Sequence, residues 1–356
     1  MDPFSQAALG AVVGQAAGHA RLGYRAAAVG ALAGALPDVD VLFSLTGDYF
    51  DQLVSHRGIT HSLFFPPVAG PLLGALAWKL EQRRKRPPPG EDGARLRTWI
   101  GVTTLALLSH PLLDLLTPYG TQLLLPFSDA RFAINAMPII DPAYTLLLVI
   151  GLVLAVRYWP ARARQVAFGT LAASCLYLAY AHLLNVAAER EAVRQLEAAG
   201  VEAATVAAFP TLLQVHYRRV VARTAAEDRV GFISLWRPCA IEWAAAPRRE
   251  RQDRAIADFL DTREGKIFDW FTMGWGRYRL EAVTGGAVVR ATDLRYGFTD
   301  DPDRSIFTAE APVDRFGRLA GPVSAGRDAS DATGQRLKLL FQETYAPACI
   351  LPPQRG

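Results

Sequence analysis

Between Arg164 and Glu189 the chain runs for 24 residues without Asp, Glu, Lys or Arg. Crossing the hydrocarbon core of a bilayer takes an α-helix of roughly 20 mostly apolar residues, so this segment predicts a membrane span. Five more windows are short of charge: Pro3 to Ala20, Leu22 to Leu36, Ser62 to Trp78, Thr98 to Leu113 and Pro142 to Val156. The first two are rich in Ala and Gly and the second contains Arg25, as befits short or tilted pieces buried against neighbouring helices. A cleavable signal peptide is not expected, because Asp2 precedes the first window and Arg21 and Arg25 follow it. Residues 1–188 thus read as a polytopic helical membrane domain of about six spans, and the fold class as mainly α.

Cytoplasmic loops retain basic residues. One set of connections holds Arg21 and Arg25, the seven basic residues from Lys79 to Arg97, and Arg157, Arg162 and Arg164, twelve in all; the other holds only Arg57 and Arg131. With six spans this places both termini outside the cytoplasm. The formal net charge of +4 is too small to argue for nucleic acid, and none is expected as a partner.

From Glu189 the composition becomes that of a globular domain. Residues 216–224, 229–236, 277–283 and 287–298 carry the β-branched and aromatic content of strands, with Thr284-Gly285-Gly286 as a hairpin turn. Residues 251–271 place apolar side chains at helical spacing. Residues 189–356 therefore read as a small α+β soluble domain, extracytoplasmic on this topology, in which we find no catalytic motif. Cys239 and Cys349 would then meet an oxidising compartment and can pair, while Cys175 lies in the sixth window.

Ionisable residues in or beside spans are costly and mark function. Asp38 and Asp40 form P-D-V-D after the second window, His56 and His61 bracket H-R-G-I-T-H before the third, and His110 and Asp114 stand four apart in S-H-P-L-L-D. On the derived topology all six fall at one membrane face. His110 and Asp114 at i and i+4 share a helix face, and of the two neighbouring aspartates one can bind an ion while the other orients a histidine. With no CxxC, a metal site must use His and carboxylate. Three imidazoles with three carboxylates suit zinc, or else manganese or iron, better than magnesium or calcium, as one ion or two. Taken singly, each aspartate is equally a cap or turn residue and each histidine a polar loop residue. Arg57 either neutralises the carboxylates or, as a catalytic residue, holds an anionic substrate group. Thr60, Ser62, His19, His182, Asn185 and His216 read as structural, His182 and Asn185 as helix–helix hydrogen-bond partners.

Through LPDVD (36–40), SHRGITHSL (55–63) and LSHPLLDLLTPYGTQLLLPF (108–127) the chain resembles the YdjM-like family of LexA-regulated, inner-membrane-associated metal-dependent hydrolases of bacteria, over roughly the first 150 to 190 residues. The resemblance implies a bacterial inner-membrane location and the polar site residues Asp38, Asp40, His56, His61, His110 and Asp114, with Arg57 and Gly58 in the motif. One departure is Gln6, where members often carry a histidine. The expectation is a membrane-bound hydrolase using metal-activated water on an ester or phosphoester, with a lipid-like substrate and membrane lipids as its surroundings. The rival readings are a structural metal site in a non-enzymatic protein whose soluble domain binds a partner and, more weakly, a transporter.

Overall fold

The computed structural model describes residues 1–45, 47–84, 90–237, 239–248, 253–284, 286–326 and 342–345. The chain divides into two compact units, one of Met1–Gly47, Ser55–Tyr180 and Leu212–Gln214, the other of Asp48–Val54, Ala181–Thr211 and Val215–Gly356. Cys349 lies outside the described residues, and with it the expected pairing with Cys239, as does the central residue of the Thr284-Gly285-Gly286 turn. Cys175 is a free thiol on an exposed helix face.

The first unit is helical. Helices α1 (Pro3–Leu22) and α2 (Arg25–Ala35) form a tight antiparallel hairpin turned at Gly23. Pro3 and the Asp2 side chain, which accepts from Ser5 N at 3.0 Å, start α1. Small residues then bring the two backbones together: a Cβ on Gly30 would lie 2.3 Å from Gly10 O, and one on Gly14 2.3 Å from Ala26 O. Glycines four apart on both partners are the means by which helices associate where lipid removes the hydrophobic driving force. A 3₁₀ segment, Leu36–Leu45, follows; after α3 (Tyr49–Ser55), which up to Val54 belongs to the second unit, comes a 3₁₀ turn, Ile59–His61. Helices α4 (Phe65–Arg84) and α5 (Asp92–Asp114) make a second hairpin, closed by Gly70 against Thr104 and Gly74 against Ile100. Thr103 Oγ1 donates to Gly70 O at 2.6 Å across it. The third hairpin joins α6 (Pro142–Val153) to α7 (Ala163–Ala198) where Gly151 meets Thr170.

The hairpin tips share one end of this unit. Glu81, near the end of α4, accepts from Arg25 at 3.2 Å and from Trp99 Nε1 at 2.8 Å, and also pairs with Arg95. Tyr24 donates to Ala155 O at 3.2 Å, and Gln15 to Ala163 O at 3.2 Å. At the other end lie the start of α1, the ends of α2 and α5 and the start of α6, tied by Asp2 N to Ile139 O at 2.9 Å and Gln6 Nε2 to Asp114 Oδ1 at 3.0 Å.

The six windows thus become helices, but they are not six spans. Among the described residues one helix, Pro160–Ala198, is long and apolar enough to cross a bilayer alone, and a second candidate is Tyr49–His61 with Phe65–Arg84, bent by 63°. Absence of charge overstates apolarity. At about 1.5 Å per residue, α2 with 11 residues reaches under 20 Å of a core roughly 30 Å thick, and the apolar helix Pro142–Tyr158, α6 with the helical turn after it, also stays short of a span. Helix α1 is long enough, but nine of its 20 residues are Ala or Gly and Gln6, Gln15, His19 and Arg21 lower its apolarity further, and α5 opens with Asp92, Arg95 and Arg97.

In the second unit two four-stranded antiparallel sheets follow chain order: β1 (Thr205–Pro210), β2 (Tyr217–Arg223), β3 (Glu227–Ser234) and β4 (Ala244–Pro247), then β5 (Gly276–Val283), β6 (Gly286–Asp293), β7 (Thr308–Val313) and β8 (Ser324–Gly326). Between the sheets in sequence lie α8 (Arg254–Asp261) and α9 (Arg263–Phe271), each capped by a side chain, Asp253 and Thr262. Ala188 and Ala192 pack the end of α7 onto Ala208, Val220 and Ile233 of the first sheet. Asn185, expected to bond another helix, instead accepts from the buried Arg218 of β2 at 3.2 Å and donates to Glu189 at 3.1 Å.

If glycine contacts close the first hairpin, Gly30→Ala should cost about 1–3 kcal/mol through overpacking. Gly101→Ala, on α5 with no atom within 4 Å of the added carbon, should be neutral or stabilise by up to about 1 kcal/mol. Unfolding midpoints in detergent compare the two, and equal shifts would refute the packing account.

Candidate metal centre

The centre forms where three local structures stop. Helix α5 ends at Asp114, one turn after His110, with Pro111 between them. Asp38 belongs to the 3₁₀ segment after α2, and His61 closes the short 3₁₀ turn before α4. That turn is set up by Arg57, whose φ of 61° places it in the left-handed region, and its backbone N–H donates to Asp40 Oδ2 at 2.8 Å.

Asp38, His61, His110 and Asp114 converge, each offering one donor atom within 4.8 Å of the others. His61 Nε2 lies 3.0 Å from His110 Nε2, 3.3 Å from Asp114 Oδ2 and 3.6 Å from Asp38 Oδ1. His110 Nε2 lies 3.4 Å from Asp38 Oδ1 and 3.5 Å from Asp114 Oδ2. Four ligands at 2.0–2.1 Å around a tetrahedral ion stand about 3.3 Å from one another. These five separations, from 3.0 to 3.6 Å, bracket that edge.

The other ring nitrogens explain which face of each imidazole turns inward. His110 Nδ1 is 2.6 Å from Gly34 O, a carbonyl that only accepts, so the proton sits on Nδ1 and Nε2 carries a lone pair. His61 Nδ1 meets Asp40 Oδ2 at 3.2 Å and Thr60 Oγ1 at 3.0 Å, which sets the same tautomer. The two Nε2 atoms therefore face each other at 3.0 Å, with room for one shared proton or a metal ion but not for two N–H groups, in a site where His61, His110 and Asp114 are wholly buried. Such an arrangement calls for a cation between them, and an acceptor behind each ligating imidazole is the usual outer support of a metal. The donor chemistry and geometry fit a divalent ion. Asp38 Oδ2 is buried without a hydrogen-bond donor, and Asp114 Oδ2 faces Arg57 Nε at 3.2 Å as well as the two imidazoles.

Asp40 and His56 stand behind this set. Asp40 Oδ1 lies 3.0 Å from His56 Nδ1, and its Oδ2 takes the Arg57 N–H and faces His61. Burial raises the pKa of Asp40, but hydrogen bonds from His56 and His61 outweigh it and hold its carboxyl well below the ordinary carboxylate range. Arg57 is buried beside them, with Nε 3.2 Å from Asp114 Oδ2, Nη1 donating to Thr117 Oγ1 at 2.6 Å, and the guanidinium 4.8 Å from the Tyr119 ring centre. The Met1 amino group contacts Asp114 Oδ1.

Three participants carried no ligand signal in the sequence. Gln6 holds Asp114 Oδ1 and donates to His110 O at 3.3 Å, while its own Oε1 is buried without a partner. Its place in the resemblance, where a histidine is common, was the available clue. Gly34 acts through its carbonyl and Thr117 through a hydroxyl, neither of which a motif exposes.

The family described as YdjM inner membrane protein matches residues 1–188, which contain every residue named above. Inner membrane protein YbcI of Escherichia coli (strain K12) is 38% identical over 99 residues, 27% of this chain and 51% of that protein, so the match spans about half the length of the curated relative. No solved structure matches. With more than half of its length matched, the chain belongs to the YdjM inner membrane protein family.

Proposed function

We propose that this inner membrane protein is a metal-dependent hydrolase in which Asp38, His61, His110 and Asp114 hold one divalent ion, zinc by donor type with manganese or iron next. The observation that carries the reading is the approach of the two Nε2 atoms to 3.0 Å with a carboxylate to either side. A bound ion there would supply Lewis acidity and a water nucleophilic at neutral pH. The chain's own groups prepare the place. Gly34 O and Asp40 fix the two tautomers, and Gln6 and Arg57 hold Asp114 from opposite oxygens. Arg57 balances the Asp114 charge and stands ready to meet an anionic group that approaches the same carboxylate.

Access supports an ester or phosphoester of lipid-like character. Asp38 and His56 are the partly exposed members, at 15% and 27% of their side chains, and beside them Val39, Val41 and Leu42 are exposed apolar residues. A substrate reaching Asp38 would pass an apolar rim. The end of the helical unit that bears the basic hairpin tips is the cytoplasmic end on the same reading, which puts the chain after α7 on the other side of the membrane.

A second reading, a structural metal that clasps the helices, is favoured by the complete burial of three of the four donors. The two differ in what chelation and substitution do. His110→Ala and Asp114→Ala should lose the ion, whereas Asp40→Asn, which disturbs only the support of His61, should keep the site and weaken metal affinity about 10–100-fold. Metal content and competition with a chromophoric chelator read both effects, and a wild-type affinity in Asp40→Asn contradicts the assignment of Asp40. On a panel of p-nitrophenyl esters and phosphodiesters the wild-type protein should turn over at least one class, and chelator should abolish turnover while leaving the helical signal and unfolding midpoint nearly unchanged. A large drop in midpoint on chelation with no turnover of any member would establish the clasp instead. For orientation, a periplasm-dependent reporter fused after Gly200 should be active, and activity of a cytoplasm-dependent reporter there would overturn the proposed sidedness.

A further inference from the structure

The α6–α7 hairpin carries a feature that the metal centre does not use. Where Gly151 meets Thr170 the helices touch, and a Cβ on Gly151 would stand 2.1 Å from the threonine hydroxyl. Around this contact runs a groove of about 590 Å³, lined by Leu146, Ile150, Leu154, Trp159, Val166 and Gly169 among others and almost wholly apolar. That volume is in the range of sites that take a small molecule or part of a lipid. Gly169 leaves its floor open, with no atom within 4 Å of a Cβ built there.

One end of the groove differs from the rest. Helix α6 runs into a π-helical turn, Leu154–Tyr158, and a 3₁₀ turn, Pro160–Arg162, leads into α7. Tyr158 and Trp159 are exposed at this end, at 65% and 51%, as aromatic residues at a membrane–water interface are. Arg157 and Arg162 flank Trp159 in the chain, are exposed, and make no ion pair among the described residues. Their neighbour Arg164 is already engaged, donating to Ala16 O at 3.2 Å.

We propose that the α6–α7 groove is a binding site for an anionic phospholipid of the inner membrane, with an acyl chain along Leu146, Ile150 and Val166 and the phosphate at Arg157 and Arg162. The charge complementarity is local: Arg157, its guanidinium 5.8 Å from the Tyr158 ring centre, and Arg162 stand two and three residues from the groove-lining Trp159, and basic residues near the interface attract anionic headgroups. The family is one of inner membrane proteins, and the helix that forms one wall of the groove is the one, among the described residues, long and apolar enough to cross a bilayer alone. The proposal does not depend on the metal centre.

Native mass spectrometry of the full chain in detergent, titrated with phosphatidylglycerol and with phosphatidylcholine of the same acyl chains, tests it. The wild-type protein should retain one phosphatidylglycerol in preference to phosphatidylcholine. Arg157→Gln and Arg162→Gln should each weaken that binding about fivefold, the loss of roughly one headgroup attraction per arginine. Gly169→Leu should fill the groove and abolish retention at an unchanged unfolding midpoint. Equal retention of the two lipids by the wild-type protein overturns the proposal. So does undiminished phosphatidylglycerol binding in Gly169→Leu, whether or not its oligomeric state changes, the change marking the groove as a contact between copies of the chain. Should Gly169→Leu fail to fold, the arginine variants decide alone, and wild-type affinity in both contradicts the assigned phosphate position.

Discussion

Two imidazole lone pairs held face to face in a dry interior are an unfavourable arrangement unless something positive lies between them. In this protein His61 and His110 are held so by hydrogen bonds on their far sides, to Asp40 and to the Gly34 carbonyl. Much of the helical unit can be understood from that constraint. The 3₁₀ segment after α2 brings Asp38 to the histidines, the left-handed Arg57 turns the chain so that His61 points inward, and α5 ends where Asp114 completes the set.

Helix packing fixes the position of those supports. Gly34 can present its carbonyl to His110 because α2 lies directly on α1, where a Cβ on Gly34 would stand 2.7 Å from Gln6 O. Gln6, on the same turn of α1, reaches Asp114 and the His110 carbonyl. The small-residue seam of α1 and α2 and the geometry of the centre are therefore one structure: a shift of either helix moves an acceptor away from a ligating ring. At the opposite end the same hairpins are tied through Glu81, which gathers Arg25, Arg95 and Trp99. Buried pairs of that kind are seldom a large source of net stability, but losing one partner is costly, so Glu81 serves chiefly to fix which helix ends meet.

How much of this was legible in the sequence varied with the kind of signal. Charge-free windows located the helices of the first unit well, because absence of charge over many residues is what a buried or lipid-facing helix requires. The same windows misjudged how many helices can cross a bilayer, since Ala and Gly contribute little apolarity and α2 and α6 are short. In the second unit the strands β2, β3, β5 and β6 stood out, while β1, β4, β7 and β8 did not: Thr205–Pro210 is six residues long and ends in Pro, Ala244–Pro247 is three Ala and a Pro, Thr308–Val313 contains Pro312, and Ser324–Gly326 spans three residues. For the centre, motif spacing brought six residues to notice. Only geometry separates the four that converge from Asp40 and His56 behind them, because which aspartate of P-D-V-D points inward depends on the 3₁₀ path of the chain. The carbonyl of Gly34 had no signal at all, since backbone acceptors are present at every position.

X-ray absorption at the metal edge of the purified protein, in detergent and without added metal, tests the central claim most directly. The account predicts one ion per chain with a first shell of nitrogen and oxygen at about 2.0–2.1 Å, multiple-scattering features of two imidazoles, and no sulfur. A thiolate shell, a single imidazole, a second metal at roughly 3.5–4 Å, or fully helical protein that contains no transition metal and binds none on titration would contradict it.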